Sequence, residues 1–192
     1  MRRRDALALL AAAALAPRGG QAAKPAQGLV IHASPRAIPE LDIRDGDGRP
    51  APLSTWRGKA ILLNLWASWC GPCVAELPTL DRLKPRIEPE GVAVVALSLD
   101  RSGKLAVVNT FARLGIANLA IHTDEARRAA EDLAAPYLPV TVLIDRDGRE
   151  AARFIGPAEW DGPQAAALLK ALAAGRPLDM SMAPAAPAKG GY

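Results

Sequence analysis

The feature that most constrains this chain is a junction. Residues 60–66, Ala-Ile-Leu-Leu-Asn-Leu-Trp, form an almost unbroken apolar run of strand length, and Cys70-Gly71-Pro72-Cys73 follows after three intervening residues. A run without alternation is what a strand covered on both faces requires. Beyond the cysteines, Leu77, Leu80, Leu83 and Ile87 recur at spacings of three and four, one face of a helix, and Pro85 and Pro89 bracket its expected end. The chain therefore has to place a buried strand so that its end delivers the start of a helix carrying two thiols.

The remaining segments extend this pattern. Residues 92–99 read as a second buried strand, 104–114 as a helix and 119–122 as a short strand. A further helix is expected after Thr123 or Asp124, either of which can cap it, running to about residue 134. Residues 140–144 are a third long strand, which Asp147-Gly148 turns into 151–155, and 164–174 are an amphipathic helix. Upstream, Asp45-Gly46-Asp47-Gly48 lies between Leu41/Ile43 and Ala51/Leu53, the pattern of a β-hairpin. This order predicts an α/β fold, a central mixed sheet with helices on both faces. A length of 192 residues suits one domain, and 50% hydrophobic residues suffice for a core without covalent staples. The domain is expected at 38–175, after a linker at 24–37 and before a disordered, Pro/Ala/Met-rich tail at 176–192.

Residues 1–23 read as an address. Arg2, Arg3 and Arg4 precede an apolar run over 6–16, then Pro17 and small residues, the three parts of a secretory signal peptide. The apolar run is far shorter than the ~20 residues of a membrane-spanning helix. A retained N-terminal anchor is the alternative, and the paired arginines leave twin-arginine export open. Arg2, Arg3, Arg4 and Arg18 against Asp5 account for most of the formal net charge of +4. The rest of the chain is nearly neutral and has no basic run, so nothing points to nucleic acid.

The chemistry resides in Cys70 and Cys73. Two intervening residues in a helical turn bring the sulfurs within bonding distance, and the unpaired N–H groups of a helix N-terminus favour thiolate. Cys70 is the expected attacking thiolate and Cys73 the resolving thiol. A zinc site is not supported, because only His32 and His122 exist and neither has ligand spacing. No cofactor is called for. Glu76 projects into the apolar stripe one turn after Cys73, so burial should raise its pKa and let it exchange protons with the thiols; the alternative is that Pro78 swings it outward. Leu138-Pro139 precedes the third strand, and a cis bond there would leave Leu138 backbone groups free to pair with a substrate chain. Trp69 is expected at the exposed rim, Trp66 in the core, and Trp56 and Trp160 as packing residues. His32 and His122 are expected to be incidental.

These residues resemble the thioredoxin superfamily, and more narrowly its TlpA/ResA branch. The resemblance rests on Trp69-Cys70-Gly71-Pro72-Cys73, on Pro78, on Leu138-Pro139, and on Glu76 in a Cys-x-x-Cys-x-x-Glu-x-Pro pattern. Asn64 stands where thioredoxins usually carry a buried Asp, and Val140 departs from the usual Thr or Ser. The hairpin at 45–48 and the extra helix and strand between 99 and 140 are similar to the branch's extension and central insertion. The resemblance implies a periplasmic monomer, either free or tethered to the inner membrane. It also implies a membrane electron donor of the thiol-transfer type and protein disulfide substrates in apocytochrome c or copper-site maturation. A disulfide-donating oxidase and a copper metallochaperone using His122 remain as alternatives.

Overall fold

In the computed structural model, which describes residues 27–187, the apolar run of residues 60–66 is the middle strand of one seven-stranded sheet. The strands are β1 (Gly28–Ala37), β2 (Arg44–Asp45), β3 (Ala60–Trp66), β4 (Val92–Ser98), β5 (His122–Thr123), β6 (Val140–Ile144) and β7 (Arg149–Ile155). Their spatial order is β1-β7-β6-β3-β4-β5-β2. β3, β4 and β5 run parallel, and the other pairings are antiparallel. The helices are α1 (Gly71–Ile87), α2 (Lys104–Leu114), α3 (Arg128–Asp132) and α4 (Pro163–Ala173).

Every residue of β3, β4 and β6 is buried, which explains the lack of hydrophobic alternation. The pleat sends alternate residues to two cores. Ala60, Leu62 and Trp66 join Val92, Val94 and Ala96 beneath α1, α2 and α4, which contribute Leu77, Leu80, Phe111 and Leu168. Ile61, Leu63 and Leu65 join Val95, Leu97, Val142 and Ile144 on the opposite face, under Leu41, Ile43, the α3 residue Ala129 and the adjoining Leu133. Buried Asp81 of α1 accepts the backbone N–H groups of Ala117, Asn118 and Leu119, which ties the α2–β5 connection to the helix.

Five expectations are corrected here. The linker at 24–37 is in fact β1 over most of its described length, paired with β7 at the sheet edge. Its register shifts between Ile31 and Arg36, a span that contains Pro35, and an edge irregularity is where a sheet accepts proline. His32 is not incidental: its Nε2 lies 2.7 Å from Glu150 Oε1, while Arg153 clamps both oxygens of the same carboxylate at 2.6 and 2.8 Å. Burial would push the Glu150 carboxyl up, but the bonds from Arg153 and His32 prevail and hold its pKa below the ordinary value.

The tail is likewise ordered where it is described. Residues 180–182 form a 3-10 turn capped by Asp179, Ala185 O accepts Glu159 N–H at 2.9 Å, and Leu178, Met182 and Ala183 pack on the core. Apolar contacts outweigh the local Pro/Ala bias. The helix expected from about 124 to 134 shortens to α3, because Arg127 takes a left-handed φ of 60° before it, while Asp124 Oδ2 accepts Ala129 N–H. The hairpin reduces to the turn at 45–48, closed by a single Arg44–Pro50 bridge, and its first arm pairs outward with β5. The expected signal segment lies outside the described residues. Among the described residues, no helix is long and apolar enough to cross a membrane.

Removing the Glu150 carboxylate strands two partly buried partners. Glu150→Ala should lower unfolding free energy by about 2–3 kcal/mol in a urea titration, and β1 amides should lose exchange protection before those of β3. Unchanged β1 protection would show that this cluster does not hold the edge strand.

Candidate active site

The β3–α1 junction positions the two sulfurs. Cys70 is the N-cap of α1 with extended backbone, and its Sγ accepts the Cys73 N–H at 3.3 Å. Pro72 occupies the first turn, where its missing N–H leaves no partner wanting. The sulfurs are joined, with Sγ–Sγ 2.05 Å. Cys70 retains 8% exposure, whereas Cys73 is fully buried. Only the first sulfur is within reach of a partner, and the second is within reach of the first.

The approach to Cys70 is held by a carboxylate that sequence reasoning missed. Buried Asp100, just past β4, accepts Ser68 N–H at 2.8 Å, Ser68 O–H at 2.7 Å and Ser98 O–H at 2.9 Å. It therefore anchors the loop between β3 and Cys70 to the neighbouring strand. The signal lay in the two buried runs ending side by side, which requires knowing that β3 and β4 are paired in parallel.

Glu76 lies inside, as its helical position predicts, with 1% exposure; Pro78 does not turn it out. Its Oε1 accepts from Asn64 Nδ2 at 2.7 Å, and its Oε2 from Ala158 N–H at 3.0 Å and Trp160 Nε1–H at 3.2 Å. Trp160, expected only to pack, is thus also a donor to this carboxyl. Burial raises the Glu76 pKa to about 7, against the opposing pull of these N–H donors. Asn64 Nδ2 also donates to Thr141 Oγ1 at 2.9 Å, across the β3–β6 ladder. Asn64 Oδ1 is buried and has no hydrogen-bond partner. A half-turn of this amide presents Oδ1 to Glu76 and Thr141, the acceptor that a neutral carboxylic acid and a hydroxyl need. The amide can therefore satisfy either protonation state of Glu76.

The Leu138-Pro139 peptide bond is cis. Leu138 packs against the core that contains both cysteines. Because Val140 pairs with Leu65, β6 begins at the end of β3 that leads to Cys70. Trp69 is 60% exposed, and Arg127 Cζ stands 5.2 Å from its ring centroid. Trp66 is fully buried and stacks on Phe111, as a core residue should. His122 packs edge-on against Trp56, which belongs to the core on the opposite face from Cys70 and Cys73, so it does not join the sulfurs. Among the described residues no group of three His, Cys, Asp or Glu is placed to hold a metal.

Residues 33–169 match the Redoxin family. The chain is 30% identical over 121 residues to the thiol-disulfide oxidoreductase ResA of Bacillus thuringiensis (strain Al Hakam), which covers 63% of this chain and 69% of that protein. It is 32% identical over 111 residues to the protein of the same name from Bacillus subtilis (strain 168), covering 58% and 61%. Among solved structures, a thiol:disulfide interchange protein of the thioredoxin family from Chlorobium tepidum TLS superposes with a TM-score of 0.57 at 24% identity, covering 74% of this chain and 99% of that one. That likeness bears on the fold.

A carboxyl that holds its proton more tightly when folded makes stability fall as pH rises. The unfolded chain releases this proton near the ordinary value of 4.5 and the folded chain near 7, so the loss accumulates between these limits. It amounts to roughly 3 kcal/mol. Glu76→Gln should flatten this slope in the oxidised protein, read by urea titrations from pH 4.5 to 8; an unchanged slope would remove Glu76 as its source.

Proposed function

The chain belongs to the Redoxin family, and from that premise we propose that it is an exported thiol–disulfide oxidoreductase that reduces disulfides of specific envelope proteins. The observation that carries this reading is the pairing of a helix-capping, partly exposed Cys70 with a buried Glu76 one turn beyond Cys73. The Bacillus relatives bear the name of a thiol-disulfide oxidoreductase, which supports the same reading.

In the reduced protein, the Cys70 thiolate attacks one sulfur of a partner's cystine. That S–S bond breaks, one partner sulfur leaves as a thiolate and takes up a proton, and the other is bonded to Cys70. Cys73 then passes its proton to the Glu76 carboxylate and attacks Cys70 Sγ. The Cys70–Cys73 disulfide forms and the second partner thiolate leaves, to be protonated in turn. Two electrons have moved to the partner. Glu76, with a pKa near 7, is suited to both taking and returning the proton at neutral pH. The Leu138 backbone and the Trp69 ring receive the partner chain beside Cys70. A membrane donor of the thiol-transfer type restores the dithiol, and apocytochrome c or copper-site proteins are the proposed class of substrate. The basic head and apolar run of residues 1–23 support export to the periplasm, with or without a retained anchor. The protein is proposed to act as a monomer.

Two measurements test this. Cys73→Ser should accumulate a mixed disulfide between Cys70 and its partners on non-reducing gels, and Cys70→Ser should not; trapping by both or neither would refute the assigned roles. The potential of the Cys70–Cys73 pair, equilibrated against dithiol buffers, should fall at or below about −270 mV. A value near −120 mV would instead mark a disulfide donor.

A further inference from the structure

The rim around Cys70 carries a cation that the redox chemistry above does not use. Arg127 adopts a left-handed backbone, which side chains other than glycine enter only at a steric cost. Two contacts hold it there: its Nε donates to Leu99 O at 2.8 Å, and its guanidinium lies over Trp69 at 5.2 Å from the ring centroid. Nε is the only guanidinium nitrogen with a hydrogen-bond partner among the described residues. Of the acids in the same two loops, two are committed elsewhere, and the third, Glu125, is turned against Gly103 rather than paired with Arg127. Asp100 holds Ser68 and Ser98, and Asp124 holds the Ala129 N–H. No carboxylate lies within salt-bridge reach of Arg127 among the described residues, so its charge is not neutralised by the fold.

This cation sits on the residue that precedes the attacking cysteine. Trp69 at 60% exposure and Tyr137 at 59% stand at the same end of the sheet, since β6 starts where β3 finishes. A partner segment bonded to Cys70 would pass its flanking side chain beside the Trp69 ring, where the Nη atoms of Arg127 have no hydrogen-bond partner among the described residues. A guanidinium stacked on an aromatic face is pre-organised to grip a carboxylate with two parallel bonds. It also offsets the repulsion between the Cys70 thiolate and an acidic segment, and it opposes a basic one.

We infer that Arg127, stacked on Trp69, selects partner disulfides that carry an Asp or Glu beside the attacked cystine. This rests on the reductase reading and adds the class of partner to it.

The test uses the reduced protein and three synthetic peptides. Each peptide holds one intramolecular disulfide, and they differ only in Glu, Gln or Lys next to the attacked cysteine. Second-order rate constants are measured in single turnovers and divided by those with dithiothreitol, which removes differences in peptide reactivity. The Glu peptide should be favoured over Gln by about fivefold, with Lys slowest. The preference should shrink in about 0.5 M NaCl, where screening acts within a few ångströms. Arg127→Asn suits the left-handed backbone and removes the cation; it should bring Glu and Gln within about twofold of each other. Equal rates for the three peptides with the native chain, or a Glu preference that survives Arg127→Asn, would overturn the inference while leaving the reductase reading intact. Should that variant fail to fold by far-UV circular dichroism, the salt series on the native chain decides, and a salt-independent preference overturns it. If no peptide oxidises the reduced protein, the reductase reading falls and takes this inference with it.

Discussion

One buried carboxyl organises the working end of this molecule. Glu76 is nine-tenths or more enclosed; it hangs from α1 one turn beyond Cys73, and its partners come from two other places, Asn64 on the middle strand and Ala158 and Trp160 in the loop before α4. A hydrogen bond to a potentially charged group in such surroundings is strong, and an unmet one is costly. The carboxyl therefore binds strand, helix and loop together while remaining close to ionisation at neutral pH. The fold and the proposed proton transfer draw on the same group. Thr79 reinforces the same contact, since its hydroxyl accepts Trp160 N–H at 3.1 Å and donates to Glu76 O at 2.7 Å.

The outer half of the site is built differently. Around Glu76 the polar groups face inward and both carboxyl oxygens are matched. Around Cys70 the surface is open, with a tryptophan, a tyrosine and an arginine exposed in whole or in part at one end of the sheet. Asp100 joins the halves by fixing the Ser68 loop to β4, so that Trp69 projects from a firm base. Rigid support beneath an exposed rim lowers the entropy lost when a partner chain is ordered against it. The proposed proton chemistry is thus kept from solvent, while the proposed recognition surface remains accessible.

The errors of sequence reading have a common origin. β1 contains Pro35 and lies among prolines and alanines, so its local composition resembles a linker. What makes it a strand is β7, more than a hundred residues away, together with the partly buried His32–Glu150–Arg153 cluster. The tail has a loop-like composition, yet Leu178, Met182 and Ala183 find a core to cover. Arg127 interrupts a helix that its neighbours favour, because Leu99 O and the Trp69 ring reward the other conformation. In each case a contact distant in sequence outweighed a local preference.

By itself, the sequence determined the parts that rest on short-range periodicity. The middle strand is written as an unbroken apolar run, and the helix after it, the capping Cys70, the buried Cys73 and the inward-facing Glu76 as spacings of three and four residues within the same continuous stretch. Backbone geometry translates such spacings directly into faces and ends. The tertiary structure alone decided who meets that stretch. The donors to Glu76 from Ala158 and Trp160, the Asp100 latch on Ser68 and the seat of Arg127 on Trp69 join residues that lie 32 to 84 positions apart or that face each other only across paired strands. No local period encodes such meetings, because they depend on strand order and on which side of the sheet each helix packs.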